Sequence, residues 1–175
     1  MGENVVTINR APVLSLWGAV VSERLGWDWD TALTLGRAMA GLQAQSKGRA
    51  LGIFKPSDAP RKAVAEEEPD EDFRVDLCGR SIRTRNTPDG ARACAKGKPI
   101  EPAKVTKYLQ GKFGEQLDAA LDAMRELAAS YDEDELPDAA FGLYEQFRPE
   151  ISKGKKGWGQ KGELDLAKIR EMANR

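Results

Sequence analysis

The sequence predicts a mainly α protein, a helical bundle-like domain with a small β-hairpin element. Two observations predict it. Apolar residues recur at three-to-four spacing over most of the 175 residues, each such stretch bounded by Pro, Gly or a capping Asp. By contrast, period-two alternation stands out in one place, where "FRVDL" runs into "SIRTR".

The first helix holds Pro12 in its opening turn, a position proline suits because its missing N–H needs no partner there. Val13, Leu14, Leu16, Trp17, Val20, Val21 and Leu25 form one broad apolar face, with Ser15, Ser22 and Glu23 outside it, and Gly26 ends the helix. A second helix, capped by Asp28 or Asp30, runs to about Ser46. "FRVDL" and "SIRTR" pair across Cys78-Gly79-Arg80, and "NTPDG" makes a further turn, for an element of two or three strands. Pro102 opens a helix with Val105, Tyr108, Leu109 and Phe113 on its face, interrupted at Gly114. The next carries Leu117, Leu121, Met124, Leu127 and Ala128; another, with Pro137 in its first turn, turns Phe141, Leu143, Tyr144 and Phe147 inward and stops at Pro149. Asp165 caps a short final helix that buries Leu166 and Ile169.

Residues 55–72, "KPSDAPRKAVAEEEPDED", hold three prolines and an acidic run with few apolar side chains, so they bury too little to offset the entropy of ordering. The expected organisation is therefore an N-terminal αα-hairpin over 1–54, an acidic linker over 55–72, and an α+β, mostly helical domain over 73–175.

Composition narrows the function. There is no histidine, which removes Ser-His and Cys-His dyads, His-ligated zinc and a general base titrating unaided near neutrality. Two cysteines, Cys78 and Cys94, are too few for a disulfide framework or a zinc site. The longest apolar stretch, 11–22, is about half of the ~20 residues a membrane span needs, and Glu3 stands where a secretory signal carries positive charge. Val6 occupies the position where a myristoylation motif needs Ser or Thr. A cytoplasmic protein without membrane contact, metal or cofactor is expected.

The net charge of −1 conceals strong blocks. Residues 74–112 carry ten basic and three acidic side chains, and 151–175 carry seven and three; 51–73 and 113–150 are acidic. Any attraction for a polyanion is thus local.

The stretch "VVSERLGWDWDTALTLGRAM", residues 20–39, resembles helix-turn-helix domains. Val21, Leu25, Trp27, Ala32 and Leu35 match their apolar positions, Ser22 the small residue of the first helix, Gly26 the turn, and Thr31 the residue opening the second helix. The resemblance implies a DNA-reading second helix. Two features oppose that use: Asp28 and Asp30 stand where phosphate would approach, and Arg37 is the only charged residue between Thr31 and Ser46. A helix apolar on nearly every side is buried or lies at an interface. We therefore read residues 20–39 as a packed αα-hairpin, with small residues Gly36, Ala40 and Gly41 admitting a close neighbour, either the chain's own core or a homodimer seam through the 31–46 helix.

The binding candidates are the basic segments 80–107 and 153–161. Arg80, Arg83, Arg85, Arg92, Lys96 and Lys98 sit in or beside turns, followed by Lys104 and Lys107. Lys153, Lys155, Lys156 and Lys161 surround flexible glycines. Both could contact phosphates, unless these cations pair with the acidic runs Glu66 to Asp72 or Asp132 to Glu135. Gly157, Gly159 and Gly162 spell G-x-G-x-x-G, but no strand is expected before them and the chain ends before a ribose-binding acid would occur. A Walker loop fails at Gln160. The expected function is a non-catalytic binding protein that associates with nucleic acid through these segments. The alternatives are a protein-interaction or scaffold module, and an enzyme acting on an anionic substrate.

Overall fold

The computed structural model describes residues 5–50, 72–95, 97–149 and 161–174, the side chains of 44–50 and 161 apart. The expected linker falls outside them except for Asp72, as do Lys96, Lys153, Lys155, Lys156 and the Lys161 side chain.

Strand β1 (Val5–Asn9) leads directly into α1 (Arg10–Arg24), and α2 spans Trp29–Ala50. The chain then forms β2 (Asp72–Leu77), β3 (Arg80–Thr87), β4 (Gly90–Ala95) and β5 (Lys98–Pro99). Helices α3 (Pro102–Phe113), α4 (Leu117–Ala129) and α5 (Leu136–Phe147) follow, then β6 (Lys161–Asp165) and α6 (Leu166–Ala173). Strands β2-β3-β4-β5 make one antiparallel sheet in that order, and β1 pairs with β6 in a second.

The architecture is therefore helix-rich but mixed α/β, which corrects the expected helical bundle with one small hairpin. The β1–β6 pair was missed because each strand is five residues long and its partner lies more than 150 residues away. Its signal is the alternation of "VVTIN": Val6 and Ile8 are buried while Thr7 is exposed, and Val6 lies opposite the buried Leu164.

Helix α1 is the centre of the molecule. Every residue from Pro12 to Ser22 is buried, because α2 packs on one side and α3, α4 and α5 on others. The expectation that Ser15 and Ser22 face outward is thus wrong; both are buried. A helix enclosed on all sides has no outer face to offer them. Trp17 anchors α5, its indole N–H donating to the Ala140 carbonyl at 2.8 Å and its ring standing edge-on to Phe147. Segments on both sides of residues 55–72 share this single core.

The link from α1 to α2 is local chemistry. Gly26, at φ +114°, allows its N–H to reach the Glu23 carbonyl and that of Trp27 to reach Ser22, closing α1. Asp28 then caps α2 by accepting from the Thr31 N–H. Beyond that cap α2 behaves as a core helix. Residues 31–36, Met39 and Ala40 are buried, between α1 and the inner face of the sheet. Thr34 Oγ1 accepts from the Ala93 N–H at 2.9 Å, stitching the helix to β4. Within the stretch expected as a seam between two copies, Gly36 is occupied by the chain's own core: a Cβ there would lie 2.6 Å from Ala19 N and would also strike the Ser15 carbonyl oxygen, while Arg37, Ala38 and residues 41–43 stay half-buried.

The remaining helices follow their periodicity. Val105, Leu109 and Phe113 of α3 are buried, and a 3-10 turn from Gly114, at φ +59°, redirects the chain into α4. Asp165 caps α6 by accepting from Ala167 N and Lys168 N, and Leu166 and Ile169 are buried.

Candidate nucleic-acid interface

The basic middle of the chain is built on the β2–β5 sheet and the helix after it. Cys78 and Gly79, at φ +50° and +80°, make the two-residue turn that pairs β2 with β3. The register sets Asp72 opposite Arg85, Arg74 opposite Arg83, and Arg85 opposite Arg92. Residues directly opposite share a sheet face, and Phe73, Val75, Ile82, Thr84 and Ala93 take the alternate, inner face toward α2.

On the outer face the Asp72 carboxylate is enclosed by two guanidiniums. Arg83 Nε donates to it at 2.5 Å, and Arg85 donates through Nε at 2.7 Å and Nη2 at 3.3 Å. The Asp72 side chain is wholly covered, and only 17% of Arg83 and 22% of Arg85 remains exposed. The hydrogen bond from Arg85, followed by that from Arg83, outweighs the burial and holds the Asp72 carboxyl below the usual carboxylate range.

The other arginines are also engaged within the chain. Arg80 Nη2 donates to Gln43 Oε1 at 2.8 Å, while Gln43 Nε2 reaches the Cys78 carbonyl at 3.3 Å. Arg92 is 7% exposed; it donates to the carbonyls of Ala91 at 2.8 Å and Asp89 at 3.1 Å and approaches Thr31 Oγ1. It thus supports the start of α2, where Asp28 is held below its ordinary range chiefly by the Thr31 hydroxyl, with Arg92 adding a smaller attraction.

Lysines divide from arginines at this point. Lys98, Lys104 and Lys107 are exposed, and Lys104 Nζ is 3.7 Å from the Glu101 carboxylate in a pair that is itself exposed. Of the predicted site residues the structure therefore brings Arg83 and Arg85 together on a carboxylate, turns Arg80 and Arg92 to other internal partners, and leaves Lys98 at the surface. Two residues beside these lysines were not among the expected binding residues. Arg37 of α2 lays its guanidinium over the Tyr108 ring, 4.6 Å from the centroid, and exposed Lys112 stands one helical turn beyond Tyr108. The spacing of Lys104, Tyr108 and Lys112 by four was the available signal.

Burial displaces several ionisations among the described residues. Burial pushes the Cys78 thiol and the Tyr144 hydroxyl up to about 12, and it raises Cys94 and Tyr108 as well. No group of three metal-ligating side chains occurs among the described residues, and no helix there is long and apolar enough to cross a membrane. Compared with protein families, with curated proteins and with solved structures, the chain matches none.

Proposed function

We propose that this chain is a non-catalytic binding protein that associates with nucleic acid through the lysine-bearing surface of β5 and α3. The observation that carries the reading is the sorting of the basic middle. Arg80, Arg83, Arg85 and Arg92 bond inside the fold, whereas Lys98, Lys104 and Lys107 extend into solvent within ten residues of one another. Flexible exposed ammonium groups suit phosphate contacts that position a ligand without reading its bases. The non-catalytic part is supported by the ionisation shifts: a general base works best with a pKa near the operating pH, and the shifted groups move away from it.

Fluorescence anisotropy with labelled DNA and RNA across a salt series tests this reading. Binding should weaken steeply with salt, and the charge reversal Lys104→Glu with Lys107→Glu should flatten that slope. Absence of binding to either polymer at low salt overturns the proposal. A second reading, a protein-interaction module, is supported by Trp27 and Phe73. They stack with ring centroids 6.3 Å apart while each is only half-buried, as aromatic residues at protein interfaces commonly are.

A further inference from the structure

The surface of α3 carries an aromatic element among its cations. Lys104, Tyr108 and Lys112 follow one another at intervals of four, which aligns them in a row along the helix with about 6 Å of rise between neighbours. Lys107 flanks that row, and all three lysines are exposed. Tyr108 is half-buried, with Arg37 of α2 laid over its ring at 4.6 Å. Arg37 is also the only charged residue between Thr31 and Ser46 on an otherwise apolar helix. It stands where α2 meets α3, and the contact sets a guanidinium and a phenol ring side by side, both half-buried, next to the lysine row.

Such a surface discriminates between kinds of nucleic acid. Phosphates are available to lysines on a duplex and a single strand alike, but the π-faces of paired bases are covered by their neighbours in the stack. Unpaired bases leave those faces open to aromatic rings and guanidinium planes. We infer that the Arg37–Tyr108 pair stacks an unpaired base while Lys104, Lys107 and Lys112 hold the adjoining phosphates, so that the ligand is single-stranded nucleic acid. This rests on the nucleic-acid reading above and narrows it. The Lys104–Glu101 contact does not stand in the way, because an exposed pair at 3.7 Å holds its lysine weakly.

The test uses the full chain at low salt with three labelled probes. These are a single strand of about twelve nucleotides, within the usual span of a single-strand site, its duplex, and the same single strand with abasic positions. The base-bearing single strand should bind about 5-fold or more tightly than the abasic strand, which keeps every phosphate and lacks stacking faces. Tyr108→Leu, which still fills the half-buried position, should lower single-strand affinity by about the same factor and leave duplex affinity unchanged, while Tyr108→Phe keeps the wild-type value. Equal affinity for abasic and base-bearing strands overturns the inference, as does indifference of single-strand binding to Tyr108→Leu. In either case the broader reading survives if Lys104→Glu with Lys107→Glu still removes salt-dependent binding. If no probe binds, the broader reading falls and this inference with it.

Discussion

Gly18 and Gly36 face each other across the α1–α2 crossing, so closely that a Cβ on Gly18 would come within 2.8 Å of the Gly36 Cα. The two helices therefore touch backbone to backbone in the middle of the core. Gly36→Ala should destabilise by at least about 1–3 kcal/mol, the cost of overpacking a site whose neighbours are main-chain atoms that cannot swing aside. Gly41, on the same helix, meets no described atom within 4 Å at its Cβ position. Gly41→Ala should be neutral or stabilise by up to about 1 kcal/mol through helix propensity. Thermal unfolding of the two variants checks the pair, and an unchanged melting temperature in Gly36→Ala would refute the crossing.

Asp72 provides a pH-dependent prediction. Its carboxyl is held low in the folded protein by Arg85 and Arg83. A lowered folded pKa means the carboxylate's contribution is fully present above the unfolded value of about 3.9 and is lost as pH falls through the folded value. Wild type should therefore exceed Asp72→Asn in stability at neutral pH, and the gap should close as acid is added below about pH 4. Chemical denaturation at several pH values measures it. A gap that stays constant into strong acid would show that the two guanidiniums do not act through the carboxylate charge.

Trp17 donates its indole N–H to Ala140 at 2.8 Å in a fully buried site. Trp17→Phe keeps an aromatic ring but removes that hydrogen bond and opens space beside Phe147. A loss of about 2–4 kcal/mol is expected from the lost hydrogen bond together with the cavity. Urea unfolding should show a lower midpoint with an unchanged slope.

The cysteines differ in reach. Burial raises the Cys78 thiol to about 12, so it stays protonated and sheltered at pH 8, whereas Cys94 is only partly buried. The thiolate is the reactive form. A thiol-specific reagent should accordingly modify at most Cys94 in the native protein and both residues in denaturant. Rapid native modification of Cys78 would mean that the β2–β3 turn opens readily.

Local features of the fold were legible along the chain because their causes are local. Asp28 caps α2 through Thr31, Gly26 ends α1, and Asp165 caps α6, each by hydrogen bonds within a few residues. The buried stripe of α3 follows its sequence period, with Val105, Leu109 and Phe113 inward. The β1–β6 pairing had no such local mark: each strand's hydrogen-bond partner lies at the far end of the chain. For the candidate site, the excess of cations in 74–112 was visible but their use was not. Whether an arginine faces solvent depends on the strand register, and the register set Asp72 against Arg83 and Arg85.

By itself the sequence determined the caps of α2 and α6, the β2–β3 turn and the absence of histidine chemistry, all of which depend on the identities of residues close together in the chain. Only the tertiary structure decided that α1 is enclosed on every side, that Gly36 of α2 meets α1, and that Arg80, Arg83, Arg85 and Arg92 take partners inside the fold while the lysines of α3 remain in solvent. Those outcomes depend on which distant groups come to occupy the space around a side chain, and it is that surrounding space which decides whether an apolar helix is a core or an interface and whether a cation is a binding group or half of an internal ion pair.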